Sequence, residues 1–333
     1  MVNAIEISGL SKFFGSVAAV DNLTLSVAAG EFFSMLGPSG SGKTTVLRLI
    51  AGFELADSGS ILIDGVDVSR LPAFSREVNT VFQDYALFPH MSVLENVAYG
   101  LRIRGVGRKE RANAAELALE QVKLGGFGHR TPNQLSGGQR QRVALARAIV
   151  LQPKVLLLDE PLGALDLKLR QEMQLELKQL QRDLGMTFIF VTHDQEEALS
   201  MSDRVAVFRD GRVEQVGTPS QIYAEPRSEF VADFVGSSNL FTADEARSIL
   251  GRDESCAIRP ERLRLDVSRG NSANLTGVVL ETVFSGSTTK VWIEVDEGKV
   301  LVSSVPAVSE DRIPARGDTV SVAWNEKDLV TFG

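Results

Sequence analysis

Short apolar segments alternate with helical segments from Ile5 to about residue 238. Three apolar segments, bounded by turn residues or charges, are Glu31–Leu36, Val155–Leu158 and Thr187–Val191. The helical segments that follow them include Lys43–Gly52, Asp166–Leu184 and Gln195–Met201. Runs this apolar are typical of strands that are covered on both faces, so the pattern predicts a largely parallel sheet flanked by helices.

Two departures from this alternation divide the chain. Residues 92–150 are mostly helical, which predicts a helical subdomain, over about 85–150, inserted between sheet strands. After Asn239 the pattern changes to short alternating runs, which are typical of a small β-barrel or sandwich. These runs are Leu275–Val283, Lys290–Val295, Val300–Val305 and Thr319–Trp324. We therefore predict two domains, 1–238 and 239–333.

Composition and charge narrow the class of protein. The 333 residues are 44% hydrophobic and 23% charged, as in ordinary globular proteins, and the net charge of -8 argues against a general nucleic-acid binder. Cys256 is the single cysteine, so no internal disulfide can form and a reducing cytoplasm is expected. Residues 1–8 alternate like a strand instead of a signal peptide, and no apolar run approaches the roughly 20 residues of a membrane span. We expect any work at a membrane to need a partner.

A glycine-rich loop between an apolar strand and a helix carries the strongest chemical signal. It reads Gly37-Pro38-Ser39-Gly40-Ser41-Gly42-Lys43-Thr44 and is followed by Thr45. Its glycines let backbone N–H groups approach phosphate oxygens, and the helix N-terminus adds the positive end of its dipole. The pattern predicts a nucleotide site in which Lys43 reaches the β- and γ-phosphates and the Thr44 hydroxyl ligates Mg²⁺. A chance glycine turn before a helix is the alternative.

A second element places two carboxylates after a buried strand. Asp159 and Glu160 directly follow Val155–Leu158, and the carboxyl ends of strands are where open α/β sheets bind ligands. Asp159 would hold Mg²⁺, directly or through water, and Glu160 would act as general base toward an attacking water. Alone, such a pattern more often marks a strand-end salt bridge, but beside the glycine-rich loop it predicts catalysis.

A third element, Leu135-Ser136-Gly137-Gly138-Gln139, begins a helix predicted over Arg140–Leu151. Ser136 is a good N-cap, and the two glycines leave room for a phosphate at the helix end. A capped helix with a flexible entry would explain Ser136 and one glycine only. With these three elements, residues 4 to about 238 resemble the ATP-binding-cassette (ABC) ATPases, which implies an α/β P-loop NTPase fold with an inserted helical subdomain.

The resemblance implies that ATP and Mg²⁺ are bound between two copies of the chain. In ABC ATPases the segment that matches residues 135–139 completes the nucleotide site of the opposite subunit in a head-to-tail dimer. Ser136 and Gly138 would then contact the γ-phosphate, with Gly137 and Gln139 beside them. A monomer would hold only half of each site.

Three more positions match the family's pattern. Gln83 resembles the Q-loop glutamine, which senses both the attacking water and Mg²⁺, so it is a candidate catalytic and metal-binding residue. His193 follows a predicted buried strand and resembles the switch histidine that contacts the γ-phosphate; a structural role is the alternative for a strand-end histidine. Asp166 resembles the D-loop aspartate that communicates between the two sites, although Gly163 departs from the more usual serine.

An aromatic residue near the N-terminus is the candidate for adenine stacking. Phe14 occupies the position where the resembled family usually places a ring against the base, and stacking needs only a flat π-face. Phe13 is the alternative, and we expect one of the pair to pack in the core.

Apolar residues soon after Gln83 suggest a docking socket for a membrane partner. These residues are Tyr85, Leu87, Phe88 and Met91. In membrane-linked ABC ATPases the corresponding region lines a groove that receives a short coupling helix of the permease, so the resemblance implies such a socket here. Anchoring of the helical subdomain is the alternative role.

Two groups of basic residues are expected to serve at the surface or in packing, and no catalytic role is assigned to Arg140 and Arg142. A cluster expected to be a solvated surface, with phosphate or lipid-headgroup contact as the alternative, comprises Arg102, Arg104, Arg108, Lys109 and Arg111. Arg140 and Arg142, which follow the glycine pair, are expected to support helix packing and charge balance at the dimer edge.

From residue 239 the chain resembles the transport-associated OB-type (TOBE) domain of binding-protein-dependent importers, which implies a small all-β OB-like fold. The landmarks of this likeness are residues 257–262, 284–287 and 323–328. OB-like barrels bind oligonucleotides, sugars or small anions. The favoured interpretation is instead a packing and dimer-stabilising module without a ligand, with regulation by a ligand as the alternative.

These resemblances imply an ATPase that powers solute import through two separate permease subunits at the cytoplasmic face of the inner membrane. An extracytoplasmic solute-binding protein would act indirectly, and no nucleic acid is expected as a partner. One alternative is a soluble ABC ATPase acting on DNA or ribosomes, but the tandem cassettes or coiled-coil insertion usual there are missing. A regulatory cassette without turnover is the other, and Glu160 and His193 argue against it.

The transported solute is suggested by likeness alone. Residues 78–91, 190–198 and 235–241 are most similar to those of spermidine/putrescine (polyamine) importer ATPases. Importers of ferric iron, opines or amino-acid derivatives, sulfate and sugars share most of these residues, and they stay as alternatives.

Overall fold

The computed structural model describes residues 2–163, 165–266, 275–307 and 313–332. Contacts divide the chain into two units, Met1–Ser220 and Gln221–Gly333, whereas the sequence predicts a domain boundary at residue 238. The assignment of two functional domains stays a prediction. Within the described ranges, every helix is too short or too polar to span a bilayer.

The elements of the first unit are numbered along the chain. Its described strands are β1 (Asn3–Phe14), β2 (Val17–Ala28), β3 (Phe32–Leu36), β4 (Ser58–Ile63), β5 (Val66–Asp67), β6 (Val78–Val81), β7 (Val155–Asp159), β8 (Thr187–Thr192), β9 (Arg204–Arg209) and β10 (Arg212–Gly217). Its described helices are α1 (Lys43–Ala51), α2 (Val93–Ile103), α3 (Arg108–Gln121), α4 (Gly137–Ile149), α5 (Leu167–Leu184) and α6 (Gln195–Met201).

The predicted parallel sheet is present, with the strand order β10-β9-β3-β8-β7-β6. Its neighbouring strands run parallel except for β10, which pairs antiparallel with β9. Strands β3 and β8 are buried along their whole length, as expected for strands with both faces covered. The α/β P-loop fold is therefore confirmed, and the carboxyl ends of β3, β8 and β7 lie side by side at one edge of the sheet.

A second sheet, antiparallel and ordered β2-β1-β4-β5, accompanies the first. The sequence pattern predicts only its N-terminal strand, in which Ile5 and Ile7 are buried while Ser8 is exposed. Strand β4 buries Ile61 and Ile63 in the same way, but it begins with the small polar residues 58–60, which are more typical of a turn. Pairing with β1 decides that this segment is a strand.

The predicted helical subdomain is formed by α2, α3 and α4. Helix α4 begins at Gly137 and ends at Ile149, so the predicted start at Arg140 is wrong by one turn. The cause is a capping box: the Ser136 hydroxyl accepts from the Gln139 N–H at 3.3 Å, and the Gln139 side chain accepts from the Ser136 N–H at 2.9 Å. The glycine pair is therefore helical and lies inside the first turn.

The second unit is mostly β-structure, as predicted. Its described strands are β11 (Asn239–Phe241), β12 (Ser255–Ile258), β13 (Arg264–Asp266), β14 (Leu275–Phe284), β15 (Thr288–Glu294), β16 (Val300–Pro306), β17 (Thr319–Ala323) and β18 (Leu329–Phe332). Short helices are α7 (Pro219–Ala224), which crosses the division between the units, α8 (Glu229–Phe234) and α9 (Ala243–Glu245). The strands form two sheets, β11-β12-β18 and β13-β17-β14-β15-β16. Apolar residues from both sheets form one buried core, which includes Cys256.

Candidate nucleotide-binding and catalytic site

The glycine-rich loop joins the end of β3 to the start of α1. Lys43 is the first residue of α1 and is only 5% exposed. Its ammonium donates to the carbonyl oxygens of Gly37 at 2.8 Å and Pro38 at 2.9 Å, and to the Ser41 hydroxyl at 3.2 Å. The loop therefore surrounds its own lysine, in the concave backbone arrangement that binds phosphate in P-loops.

The glycines of this loop are needed for two different reasons. A Cβ on Gly37 would lie 2.5 Å from the Phe208 carbonyl oxygen, and one on Gly42 would lie 2.3 Å from that of Ala19. At these positions glycine lets the loop pack closely against β9 and β2. At Gly40, φ is +79° and no atom lies within 4 Å of the Cβ position, so the tip of the loop is open to a ligand.

The side chains of Thr44 and Asp159 meet at the start of α1 and the end of β7. Thr44 Oγ1 donates to Asp159 Oδ1 at 3.2 Å. Burial raises the pKa of Asp159, the Thr44 hydrogen bond opposes this, and the nearby Glu160 carboxylate adds to the increase. Burial also lowers the pKa of Lys43, while the two carboxylates favour its charged form. Of the neighbouring residues, Ser39 is exposed, and Pro38 and Thr45 are half-buried.

The Thr44 and Asp159 oxygens fit a magnesium ion. Mg²⁺ takes hydroxyl, carboxylate and phosphate oxygens, and it is usually held by one or two protein carboxylates together with substrate phosphates. The raised pKa of Asp159 means that its buried negative charge is incompletely compensated. A cation at this position would supply the missing compensation.

Glu160 and His193 are brought together by the adjacent ends of β7 and β8. The Glu160 backbone is left-handed, with φ +45°, and its N–H donates to the Val191 carbonyl at 3.0 Å. His193 Nδ1 lies 3.3 Å from Glu160 Oε1, and the imidazole is more than half exposed. The carboxylate and the imidazole can therefore act on a proton or a water at the same place, as general-base chemistry requires.

Gln83 lies beside the turn that follows Glu160. A Cβ on Gly163 would be 3.6 Å from Gln83 Nε2 and 3.5 Å from the Glu160 carbonyl oxygen, which are ordinary contact distances. A serine would therefore fit at position 163, and glycine omits a hydroxyl beside the Gln83 amide. Ala164, the next residue of the predicted D-loop, lies outside the described residues.

A buried polar network behind His193 was not foreseen from the sequence. Glu197 is 3% exposed, its carboxylate accepts from the Thr192 hydroxyl at 2.6 Å, and burial raises its pKa. Arg170 Nη1 donates to Asp194 at 3.1 Å, and its Nη2 donates to the Leu165 carbonyl at 3.2 Å. This network fixes the turn that carries His193. The carboxylates at 194, 196 and 197 were the available signal, but only the fold shows which of them is buried.

The Ser136–Gln139 segment does not join this constellation within one chain. Its described contacts are the capping box and close packing on the start of α5, where a Cβ on Gly138 would lie 3.2 Å from Leu169 and one on Gly137 would lie 3.5 Å from Leu165. Asp166 lies at the same place, where its carboxylate caps α5 by accepting from the Leu169 N–H at 3.0 Å.

The expectation that Phe13 or Phe14 packs in the core is wrong. The two residues are 47% and 48% exposed. They lie beside the turn of the β1–β2 hairpin, where Phe13 pairs with Ala18 after a register shift, so alternation no longer directs one ring inward. The Lys12 ammonium lies 5.3 Å from the centre of the Phe14 ring.

The segment from Tyr85 to Met91 is more buried than a surface socket requires. Tyr85 is 5% exposed and its hydroxyl donates to the Pro161 carbonyl at 3.4 Å, so Tyr85 cannot line an open groove. Leu87, Phe88 and Met91 are half-buried. The Phe88 ring packs on Tyr99 of α2, with 4.7 Å between ring centres.

Several of the basic residues make local contacts. Arg104 donates to the Leu151 carbonyl, and Arg111 donates to the Val106 carbonyl. Arg142 forms an ion pair with Glu176 at 2.8 Å. Each contact joins neighbouring helices or closes a loop, so these side chains support packing.

Within the second unit, the landmark at residues 257–262 is built around a buried arginine. Arg259 is 7% exposed and donates to the carbonyls of Tyr223, Ala232 and Ser237. Burial raises the pKa of Tyr223 to about 12, together with its hydrogen bond to the Glu261 carboxylate. Arg259 thus ties residues 223–237 to the β-structure.

Comparisons with known proteins agree with this geometry. Residues 20–163 match the ABC transporter family and residues 256–332 match the TOBE domain family. The Escherichia coli (strain K12) protein named "Uncharacterized ABC transporter ATP-binding protein YdcT" is 54% identical over 99% of this chain and 98% of its own. The "Spermidine/putrescine import ATP-binding protein PotA" of Aliivibrio fischeri is 49% identical over 97% of this chain and 94% of its own.

Solved structures show the same likeness for the nucleotide-binding part. The ATP-binding cassette MJ0796, described as dimeric and bound to ADP and Pi, is 34% identical with a TM-score of 0.58 over 65% of this chain and 98% of its own. The cbiO1 protein of Clostridium perfringens, described as part of the ABC transporter complex cbiONQ, is 30% identical with a TM-score of 0.63 over 68% of this chain and 92% of its own. This chain therefore belongs to the ABC transporter family, as an ATP-binding subunit whose ATPase activity is coupled to transport.

Proposed function

We propose that two copies of this chain bind ATP with Mg²⁺ and hydrolyse it to drive solute import through separate permease subunits. The observation that carries the proposal is the meeting, at one edge of the parallel sheet, of the loop around Lys43, the Thr44–Asp159 pair and the Glu160–His193 pair. These groups supply phosphate binding, cation ligands and a general base, which are the parts that phosphoryl transfer to water needs.

The chemistry assigns a task to each group. Lys43 and the loop N–H groups bind the β- and γ-phosphates, while Thr44, Asp159 and Gln83 hold Mg²⁺. The metal ion, when bound, neutralises the charge that develops on the phosphate oxygens. Glu160 accepts a proton from the attacking water, and His193 contacts the γ-phosphate.

The nucleotide is enclosed, in this proposal, by the Ser136–Gln139 segment of a second copy. Within one chain Ser136 is exposed and caps its own helix, while Gly138 is buried against Leu169. The exposed Ser136 at this helix N-terminus would face the phosphates of the partner. The likeness to a cassette described as dimeric supports this arrangement. Asp166, at the start of α5 beside this segment, would report closure from one site to the other.

Adenine would stack on an exposed ring at the end of the β1–β2 hairpin. Phe14 is our assignment, because its ring face is accessible and already attracts the Lys12 ammonium. Phe13 is equally exposed and is the alternative. We expect Phe14→Ala to weaken ATP binding more than Phe13→Ala does, and the opposite order would assign the stacking ring to Phe13.

A permease would dock on an apolar surface near Gln83. Phe53 and Phe82 are 45% and 37% exposed, with 5.8 Å between ring centres, and Phe74 is 90% exposed. Contiguous exposed apolar patches mark sites of protein association. We therefore extend the predicted socket of Leu87, Phe88 and Met91 to these three phenylalanines and remove Tyr85 from it. Such docking would hold the subunit peripherally at the cytoplasmic face of the inner membrane.

The proposed cargo is a polyamine, spermidine or putrescine. The support is the name of relatives that share 47–49% of their residues with this chain over nearly its whole length. An extracytoplasmic binding protein would select the solute, because no part of this subunit would contact it.

The test is ATP turnover by the subunit reconstituted with its permease and solute-binding protein. We expect spermidine or putrescine to raise turnover several-fold, and the Lys43→Ala complex to give none. A response to ferric iron, an opine, sulfate or a sugar, without a response to either polyamine, would overturn the cargo. Absence of any permease-dependent turnover would overturn the importer function itself.

A further inference from the structure

The backbone that follows Gln83 is held in a strained conformation. Tyr85 and Ala86 are consecutive non-glycine residues with φ of +64° and +45°. L-residues rarely adopt this left-handed region, and they keep it only where surrounding contacts enforce it. The segment has left the parallel sheet at the end of β6, so those contacts come from elsewhere.

One guanidinium supplies two of these contacts. Arg147 Nη2 donates to the Tyr85 carbonyl at 2.7 Å, and Nη1 donates to the Ala86 carbonyl at 2.6 Å. The same guanidinium lies 5.8 Å from the centre of the Phe88 ring. A planar fork with several N–H donors can bridge two carbonyls in this way, whereas a lysine ammonium acts as a point charge.

The other end of the segment is fixed by the same subdomain. The fully buried Asn96 of α2 accepts from the Phe88 N–H at 2.8 Å and donates to the Phe88 and Ser92 carbonyls at 3.1 and 3.0 Å. Residues 85–92 are thus attached to α4 near their start and to α2 near their end. Helix α4 also carries Ser136 at its N-terminus, so one rigid element joins Ser136 to the backbone after Gln83.

We propose that Arg147 is a positioning residue that transmits displacement of α4 to the segment after Gln83, and through Phe88 to the docked permease. The inference rests on the proposed importer function. Movement of Ser136 when a second copy closes on ATP moves α4, and the two guanidinium hydrogen bonds carry Tyr85 and Ala86 with it.

The first test replaces Arg147 with lysine, which keeps the charge and loses the fork. Arg142→Lys is the matched control, because Arg142 lies on the same helix and binds Glu176 instead of a backbone carbonyl. In the isolated subunit, we expect amide hydrogen exchange in residues 84–92 to become about tenfold faster in Arg147→Lys only. In the reconstituted complex, we expect the ratio of permease-stimulated to basal ATP turnover to fall by about tenfold, with the KM for ATP unchanged.

A second variant separates transmission from simple support of the strained backbone. Glycine adopts the left-handed region without strain, so Ala86→Gly in the Arg147→Lys background should restore protection from exchange. We expect the turnover ratio to stay low in this double variant, because the link to α4 is still missing. If Arg147→Lys does not fold, Arg147→Gln replaces it in both experiments.

The outcomes that contradict the inference are distinct from those that contradict the proposed function. Recovery of the turnover ratio in the double variant would show that Arg147 only stabilises the backbone. An equal loss in Arg142→Lys, or an unchanged ratio in Arg147→Lys, would likewise overturn the assignment. A wild-type complex without permease stimulation would instead refute the importer function.

Discussion

Single charged groups determine the electrostatics of the nucleotide site. The Lys43 ammonium is satisfied by the oxygens of its own loop, while the Asp159 carboxylate has one hydroxyl donor and a like charge beside it. Burial disfavours both charged forms, as the lowered pKa of Lys43 and the raised pKa of Asp159 show. The charged forms of both groups are therefore unfavourable where they lie. Mg²⁺ would compensate the Asp159 carboxylate, and phosphate would compensate the Lys43 ammonium.

This cost predicts a pH-dependent effect of Asp159→Asn. Because the pKa of Asp159 is raised on folding, its contribution to stability is present below its usual pKa and is lost as pH rises through the raised value. With the partial exposure of the carboxyl taken into account, we expect Asp159→Asn at pH 8 without Mg²⁺ to gain up to about 1 kcal/mol, or about 2–4 °C in Tm. The gain should disappear toward pH 4.

Thermal unfolding from pH 4 to 8, with and without Mg²⁺ and ATP, checks this. The control is Asp210→Asn, since the Asp210 side chain is 88% exposed and should show no comparable trend. With Mg²⁺ and ATP, the order of stability should reverse in favour of the wild type, because ligands that bind only the folded state stabilise it. A variant that is less stable than the wild type throughout, with no ligand present, would contradict the burial argument.

At the scale of elements, helix starts place the chemistry. Helices α2 and α4 both begin with a serine in a capping box, formed by Ser92 with Glu95 and by Ser136 with Gln139. The two caps are geometrically alike, with hydroxyl-to-N–H distances of 3.2 and 3.3 Å. Only Ser136 carries a proposed second role, toward the γ-phosphate of a partner.

Alanine substitutions at these two serines separate capping from nucleotide contact. We expect Ser92→Ala and Ser136→Ala each to lower the free energy of unfolding by about 1 kcal/mol, because each removes one cap. Only Ser136→Ala should also reduce ATP turnover strongly at saturating ATP. Urea unfolding and steady-state ATPase assays measure the two effects. Equal turnover in both variants would remove the proposed role of the Ser136 hydroxyl.

At the scale of the whole molecule, the proposed nucleotide site is divided between two copies of the chain. The Lys43 loop lies at the carboxyl edge of the parallel sheet, whereas Ser136 begins a helix of the inserted subdomain, in which Gly138 packs against Leu169 of α5. If the site is divided in this way, two inactive variants with different defects can form one intact site in a mixed dimer.

A mixture of Lys43→Ala and Ser136→Asp chains tests this division. Aspartate retains the N-cap of α4, and its carboxylate repels a γ-phosphate, so the second variant is damaged only in its contribution to the partner. In a mixed dimer, both lesions fall in one shared site and the other site is intact. We expect ATP binding and turnover in the mixture where each variant alone has almost none. The control mixes Lys43→Ala chains with the double variant Lys43→Ala/Ser136→Asp. Every site in that mixture lacks Lys43, so we expect no recovery.

Much of this protein was determined by local sequence. The glycine-rich loop, the strand that ends in Asp159 and Glu160, and the capped glycine pair each follow from residues that are neighbours in the chain, whose backbone preferences and hydrogen bonds act over one turn. Apolar runs in the same way fixed the buried strands of the parallel sheet. The roles of the individual site residues stay predictions.

Tertiary structure decided what depends on distant partners. Pairing with β1 makes β4 a strand. Phe13 and Phe14 are both exposed because they lie beside the turn of a hairpin. Tyr85 is buried, and its hydroxyl donates to the distant Pro161 carbonyl. The hydrogen bonds from Arg147 to the Tyr85 and Ala86 carbonyls join residues about 60 positions apart. Local pattern sets which conformations and charges a segment can offer, but burial and long-range hydrogen bonds exist only once the chain has folded.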